Sequence, residues 1–388
     1  MNHVFWIRFI YLQRVVNSHH TSSSLSRTIW LHPKDPKVVQ IIDQRVLPHQ
    51  LAVTDLRSHH DAVRAIKEMW VRGAPLIGAT AAFGCYLGAL EAPEKGLHQY
   101  MKTVSSDLQK TRPTAVNLSW ALDRVRKAVA DLQTKSDLIK MTMAVAQDIV
   151  EEDVKICRDI GLHGLSLIET IHHSNERRPV QILTHCNAGR MATIEWGTAT
   201  SPIYHAHERG IPLHIWVDET RPRNQGARIT AWELGERGIP HTVIADNTGG
   251  LLMRQGKVDL CLVGTDRTAS NGDVANKIGT YLKALAAHHN NVPFYVALPS
   301  SSIDWNASSG DDIPIEERDP EEITHISGFD GEVIRRVQLT PGKSAALNLG
   351  FDITPAEFVT ALITERGICT ASEQGIRSLF REGNYCPT

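Results

Sequence analysis

A thiol, several carboxylates and several arginines stand where short apolar runs of this chain come to an end. VQIL runs into Thr184-His185-Cys186-Asn187 and LHIWV into Asp218-Glu219-Thr220-Arg221. HTVIA reaches Asp246-Asn247, VDLCLV reaches Gly264-Thr265-Asp266-Arg267, and VPFYVAL closes on Pro299-Ser300. In an open parallel sheet, ligands bind beyond the carboxyl ends of the strands, so these groups would gather on one edge. A single strand-terminal Asp is an ordinary helix cap; several reactive types on one edge point to a site.

Other segments suit an anion. Val71-Arg72-Gly73-Ala74-Pro75 places an arginine and a glycine ahead of a proline suited to a first helical turn, so free backbone N–H groups and a guanidinium could face one anion. A tight turn between helices, with Arg72 in a salt bridge, would use the same residues. Arg112 in Thr111-Arg112-Pro113-Thr114 repeats the theme, or is an exposed loop arginine. Asn276 and Lys277, in Asn271-Gly272-Asp273-Val274-Ala275-Asn276-Lys277-Ile278-Gly279, are expected in the first turns of a helix, where a lysine opposes the helix dipole unless an anion is near. Arg221-Pro222-Arg223-Asn224-Gln225-Gly226 opens another helix with two arginines, for an anion or for an internal carboxylate network.

Several chemistries are excluded. The glycines fit neither G-x-G-x-x-G nor a P-loop, so a nicotinamide-dependent dehydrogenase has no fingerprint here. There is no G-x-S-x-G elbow for a serine hydrolase. The 19 histidines include no His-Glu-x-x-His, and His59-His60, His172-His173 and His288-His289 lack partnered carboxylates, so no metal site is expected. The six cysteines lie far apart without a Cys-x-x-Cys pair, which fits a reducing compartment and a cytoplasmic location.

The elements that must position these groups follow from periodicity. Residues 1–27 read as a flexible extension, because arginines interrupt the apolar run of MNHVFWIRFIYLQRVV and no small-residue cleavage site follows. VVQIIDQRVLP suits a short strand or hairpin. Helical spacing then governs DAVRAIKEMWV, LSWALDRVRKAVADL and DLIKMTMAVAQDIVEEDVKICRDIG, making residues 28–174 mainly helical with short β elements. From residue 175 to 388, five strands alternate with helices over Met191–Arg209, Ala227–Arg237 and Val274–His289, with a further helix start at Thr354-Pro355. The predicted class is α/β, a Rossmann-like parallel sheet in the C-terminal part beside a smaller, mainly helical N-terminal part. With 388 residues, 42% hydrophobic and 22% charged, the chain can bury real cores. Lys plus Arg number 41 and Asp plus Glu 43, a net charge of -2, which gives no general attraction to nucleic acid or an anionic membrane. No stretch reads as apolar for long enough to span a bilayer.

Taken together, RGAPLIGATAAFG, THCNAG, DETRPRNQGARITAWEL, GTDRTASNGDVANKIGTY, PFYVALPSSSID, IPIEERDPEEITHI and NLGFDITPAEFVTALITERGI resemble, in order, the methylthioribose-1-phosphate isomerases. Their larger family includes ribose-1,5-bisphosphate isomerase and regulatory subunits of the translation-initiation guanine-nucleotide exchange factor. The resemblance implies an aldose–ketose isomerase of methionine salvage acting on a small sugar phosphate, a homodimer without a cofactor. It further implies Cys186 and Asp266 as the catalytic pair, and Arg72, Gly73, Ala74, Arg112, Gln225, Asn276 and Lys277 as substrate contacts. A buried, protonated Asp266 would give its proton to the ring oxygen of an aldose 1-phosphate, while Cys186 acts on the hydrogen at C2. A related 5-deoxyribose 1-phosphate would need only the same apolar pocket, whereas a 1,5-bisphosphate would need a second anion site. Arg190, Met191, Glu195, Trp196, Gly249-Gly250, Thr265 and the WNASSGDD segment depart from the family pattern and are expected to reshape the pocket for the 5-substituent.

Overall fold

The computed structural model describes residues 27–112, 115–174 and 178–380. The expected extension up to residue 26, Pro113, Thr114 and Cys386 lie outside the described residues. Arg27 is paired with Glu151 at 2.5 Å and with Glu195 at 3.5 Å.

The chain opens with an antiparallel sheet of β1 (Ile29–Leu31), β2 (Val39–Ile42) and β3 (Val53–Leu56). Helix α1 (His59–Lys67) starts at Ser58, whose hydroxyl accepts from the Asp61 amide while the Asp61 carboxylate reaches back, a reciprocal cap. It buries Ala62, Ala65 and Ile66 and ends before Met69, whose φ of 58° breaks the helical run. Helix α2 (Ala74–Glu91) is apolar on every side. By length and composition it could cross a membrane, contrary to the expectation from the sequence, yet 78% of it is buried inside the protein. A helix apolar all round needs either lipid or a ring of other helices. Here the ring is α1, α3 (Leu97–Gln109), α4 (Val116–Val129) and α5 (Lys135–Ser174).

Beyond α5 come β4 (Val180–Thr184), α6 (Thr200–Glu208), β5 (Leu213–Asp218), α7 (Ala231–Glu236), β6 (His241–Ile244), α8 (Thr248–Arg254) and β7 (Leu260–Val263). Then follow β8 (Arg267–Ala269), β9 (Val274–Lys277), α9 (Thr280–His289), β10 (Phe294–Ala297), β11 (Ile303–Asp304), α10 (Glu321–Thr324), β12 (His325–Phe329) and β13 (Ile334–Gln338). The described chain closes with β14 (Phe351–Thr354), β15 (Ala361–Thr364), β16 (Gly367–Cys369) and α11 (Glu373–Leu379). The main sheet has seven strands in the order β16-β15-β10-β7-β4-β5-β6. All five strands expected from the apolar runs are in it and pair in parallel; β15 extends the parallel set and β16 closes it antiparallel. From β4 the chain moves outward through β5 and β6, then returns to lay β7 on the other side of β4. That reversal opens a crevice at the carboxyl ends of β4 and β7.

Three helix expectations need correction. The helix expected over Met191–Arg209 starts only at Thr200, after a short turn at Arg190–Ala192; the Gly197 amide donates to Thr193 Oγ1, holding the intervening chain in a loop. The helix expected from Val274 begins at Thr280, because Val274–Lys277 pairs with β14 and Gly279, at φ 102°, turns the chain. Asn276 and Lys277 therefore lie on a strand, and the helix-dipole argument for Lys277 does not apply. Thr354-Pro355 leads into a turn at Ala356–Phe358 and no longer helix.

Candidate active site

The crevice holds a cavity of about 120 Å³. Cys186, Asp266, Arg72, Gly73, Ala74, Arg112, Gln225, Asn276 and Lys277 all line it. Cys186 follows β4 and Asp266 follows β7, so the two reactive side chains flank the reversal point of the sheet. Asn276 and Lys277 end β9, and Gln225 comes from the loop after β5. The loop's return is possible only with glycine at 226, where a Cβ would lie 1.7 Å from the Asp218 carbonyl oxygen.

Arg72, Gly73 and Ala74 arrive from the helical part at the start of α2, with Gly73 as N-cap and Pro75 in the first turn. Gly73 has φ 88°, and a Cβ there would sit 2.3 Å from the Ala192 backbone, so only glycine lets α2 point its free N–H groups at the sheet edge. The Arg72 guanidinium donates to the Asn187 carbonyl at 3.3 Å and to its side-chain oxygen. Lys277 Nζ donates to the Gly350 carbonyl at 2.7 Å and lies 4.7 Å from the centre of the Phe351 ring. Among the described residues, neither cation has a carboxylate within ion-pair distance. Burial lowers the pKa of both, against the opposing pull of Cys186 and Asp266. Arg72 Nε, Arg112 Nε and Gln225 Oε1 are buried without a hydrogen-bond partner. The two guanidinium N–H groups could each donate to an anionic ligand, while the Gln225 side-chain oxygen could accept from a hydroxyl.

Burial also pushes the Asp266 carboxyl above its ordinary range; Lys277, Arg112 and Arg72 pull it down without cancelling the effect. The Cys186 thiol is raised for the same reason, opposed by Arg72 and Lys277. A carboxyl whose pKa burial raises and a thiol, facing the Arg72 and Lys277 cations, form a constellation able to move protons on an anionic substrate.

The sequence left two readings open for the arginines after β5. Arg223 joins a carboxylate network, donating to Glu322 at 2.8 Å; Arg221 donates to the backbone carbonyls of Pro222 and Ile323. That network includes residues the sequence did not single out. Arg318 binds Glu316 at 3.1 Å and Glu322 at 2.8 Å, and Glu316 also holds Arg112 at 3.3 Å. Their only sequence signal was the dense alternation of charge in EERDPEE. Buried Glu233, which accepts from the Met191 amide and the Tyr204 hydroxyl, gave no signal. Among the residues that depart from the family pattern, only Thr265 lines the cavity, so the others do not shape it directly.

One set of side chains has metal-ligand proximity: His185, Asp218 and Asp246 bring ligand atoms within 4.8 Å of one another. Most of their ligand atoms are already partnered, Asp218 Oδ1 excepted. Asp218 meets His185 Nδ1 at 2.8 Å and Lys283 Nζ at 3.1 Å, His185 Nε2 meets the Ile278 carbonyl, and Asp246 accepts the amides of Thr220 and Arg221. An ammonium already compensates the carboxylate that a cation would need.

The profile of the Initiation factor 2 subunit family matches residues 70–371. A methylthioribose-1-phosphate isomerase from Paramagnetospirillum magneticum is 57% identical over 92% of this chain and 97% of its own length. The chain belongs to the methylthioribose-1-phosphate isomerase family. Among solved structures of related proteins, 5-methylthioribose 1-phosphate isomerase from Pyrococcus horikoshii OT3 aligns with a TM-score of 0.79 at 38% identity, over 93% of this chain and 98% of that one. The translation initiation factor eIF-2B, subunit delta, from A. fulgidus aligns with a TM-score of 0.76 at 37% identity, over 92% and 99%. The isomerase family thus shares its mixed α/β fold with a translation initiation factor subunit.

Proposed function

We propose that this chain is an aldose–ketose isomerase converting 5-methylthioribose 1-phosphate to 5-methylthioribulose 1-phosphate. One observation carries the reading: Cys186 and Asp266 follow adjacent parallel strands into a single cavity whose cations, Arg72 and Lys277, have no carboxylate partner among the described residues. A regulatory protein of the same fold has no chemical need for a raised carboxyl and a thiol facing two uncompensated cations.

The chemistry follows from the substrate. Its anomeric oxygen is esterified, so the ring must open with the phosphate in place. Asp266, whose proton burial helps to retain, gives it to the ring oxygen as the bond to C1 breaks. The hydrogen at C2 then moves with its bonding electron pair to the electron-poor C1, beside the Cys186 sulfur. The ionised Asp266 recovers a proton from the C2 hydroxyl as the ketone forms, leaving the enzyme as it began. Arg72, Lys277 and the amides of Gly73 and Ala74 hold the phosphate, with Arg112, Gln225 and Asn276 completing the contacts. In this reading the Rossmann-like sheet domain from about residue 175 carries the pair and Lys277, and the helical domain before it brings Arg72, Gly73 and Ala74 to the phosphate. The enzyme works without a cofactor, as a cytoplasmic homodimer.

The test is a side-by-side assay of the purified protein on 5-methylthioribose 1-phosphate, 5-deoxyribose 1-phosphate and ribose 1,5-bisphosphate, with Cys186→Ala and Asp266→Asn as controls. Ketose from the first, lost in both variants while the circular dichroism stays unchanged, is the expected result. Absence of ketose from all three substrates would sink the assignment.

A further inference from the structure

Cys186 has φ 66°, a left-handed backbone that a side chain with a Cβ adopts only under constraint. The constraint is visible on both sides of its Cα. The Cys186 amide donates to Thr220 Oγ1 at 2.8 Å, and the Cys186 carbonyl accepts from Thr230 Oγ1 at 2.7 Å. Neither hydroxyl is idle otherwise. Thr220 Oγ1 donates its own proton to the Asp218 carbonyl at 3.0 Å, and Thr230 Oγ1 accepts from the Asn187 side-chain amide at 3.1 Å. Thr220 is itself at φ 66°, fixed by the Asp246 carboxylate, which accepts its amide at 2.6 Å and that of Arg221 at 2.7 Å. Both threonines are buried, and neither lines the cavity.

We propose that Thr220 and Thr230 are positioning residues for the isomerisation, clamping the two peptide groups around Cys186 so that its sulfur faces the cavity. Both reach across from the segment after β5: Thr220 two residues past the strand, and Thr230 at the close of the wide π turn over Gly226–Thr230. The clamp therefore borrows its rigidity from a neighbouring strand, as a strained reactive residue requires. The inference rests on Cys186 being the reactive thiol.

The test removes each hydroxyl while keeping its shape. In the full chain, Thr220→Val and Thr230→Val are expected to lower kcat about tenfold to a hundredfold, because an ångström of misplacement costs that much, with KM moved by no more than about twofold. Thr220→Ser and Thr230→Ser keep the hydroxyl and should recover most of the rate. The rate of Cys186 alkylation by iodoacetamide, followed against pH, should shift in the valine variants and return in the serine ones. Where a valine variant does not accumulate as folded protein, the alanine variant at that position replaces it. Wild-type kcat in the valine or alanine variants overturns the proposal, and so does equal impairment in the serine variants, since packing and not hydrogen bonding would then matter. Cys186→Ala separates the two levels: full activity there removes the premise, whereas its loss together with indifferent threonines removes only the clamp.

Discussion

Two sets of cations line the same cavity and are satisfied in opposite ways. Deep in the crevice, Arg72 and Lys277 donate to an asparagine and to backbone carbonyls. Around them Arg112, Arg223 and Arg318 form a rim held by Glu316 and Glu322. A buried cation with only neutral acceptors keeps most of its charge for a ligand, whereas one already in an ion pair must give up a partner first. The contrast teaches which charges are open to a ligand outright and which must first loosen from a carboxylate. The rim pairs also hold Glu322 well down, at about 2, against its own burial, through Arg318 and Arg223.

The strongest challenge to this contrast is at Asp266. A general acid works protonated, so turnover should fall as pH rises through its elevated pKa, and Asp266→Asn should lose both that alkaline limb and turnover by orders of magnitude; a pH–rate profile checks both. Next come the deep cations. Arg72→Gln or Lys277→Met should lower kcat/KM by about a hundredfold, mainly through KM, since a charged hydrogen bond is worth about 1.5–3 kcal/mol. Weaker effects belong to the rim: Glu316→Gln frees Arg112 from a partly exposed pair worth about 1 kcal/mol or less, so KM should fall by a few-fold at most. If the rim variant moved KM more than the deep ones, the division would be wrong.

An effect on stability and not on turnover lies outside the cavity, at Asp153 on α5. Burial raises its carboxyl from 3.8 to about 7, although it accepts the Ile194 amide at 3.0 Å. Its folded pKa exceeds the unfolded one, so its contribution to stability is full below about pH 4 and declines as pH climbs to about 7. Asp153→Asn should flatten that slope in denaturant titrations across this window. An unchanged slope would mean that the carboxylate is better solvated than its burial indicates.

Much of the sheet could be read from the chain because each parallel strand is a short apolar run stopped by polar residues, and such runs are buried on both faces. The reading failed at Val274–Lys277. Four buried residues carry too little periodicity to reveal a strand, and only pairing with distant β14 decides it. At the site, the gathering of a thiol, carboxylates and arginines on one edge followed from strand ends alone. The choice of Cys186 and Asp266 among them came from the family likeness. What joins Glu316 to Arg112 across 204 positions is tertiary structure, and no local pattern anticipates it. The threonine clamp has no local signature either, since it depends on left-handed backbones at Cys186 and Thr220 that nothing in THCNAG or DETR announces.

The 40 residues of α5 make a rod about 60 Å long. Its first half supplies Leu138, Val145 and Ile149 to the core around α2, and its second half supplies Ile160, Leu165 and Ile168 to the core under the sheet. Melting either end strips apolar cover from one core and withdraws support from the other. The two halves of the cavity, one carried by each core, are thereby bound into one cooperative unit. Amide protons along the middle of this helix should consequently be among the last to exchange, opening only when the whole molecule does.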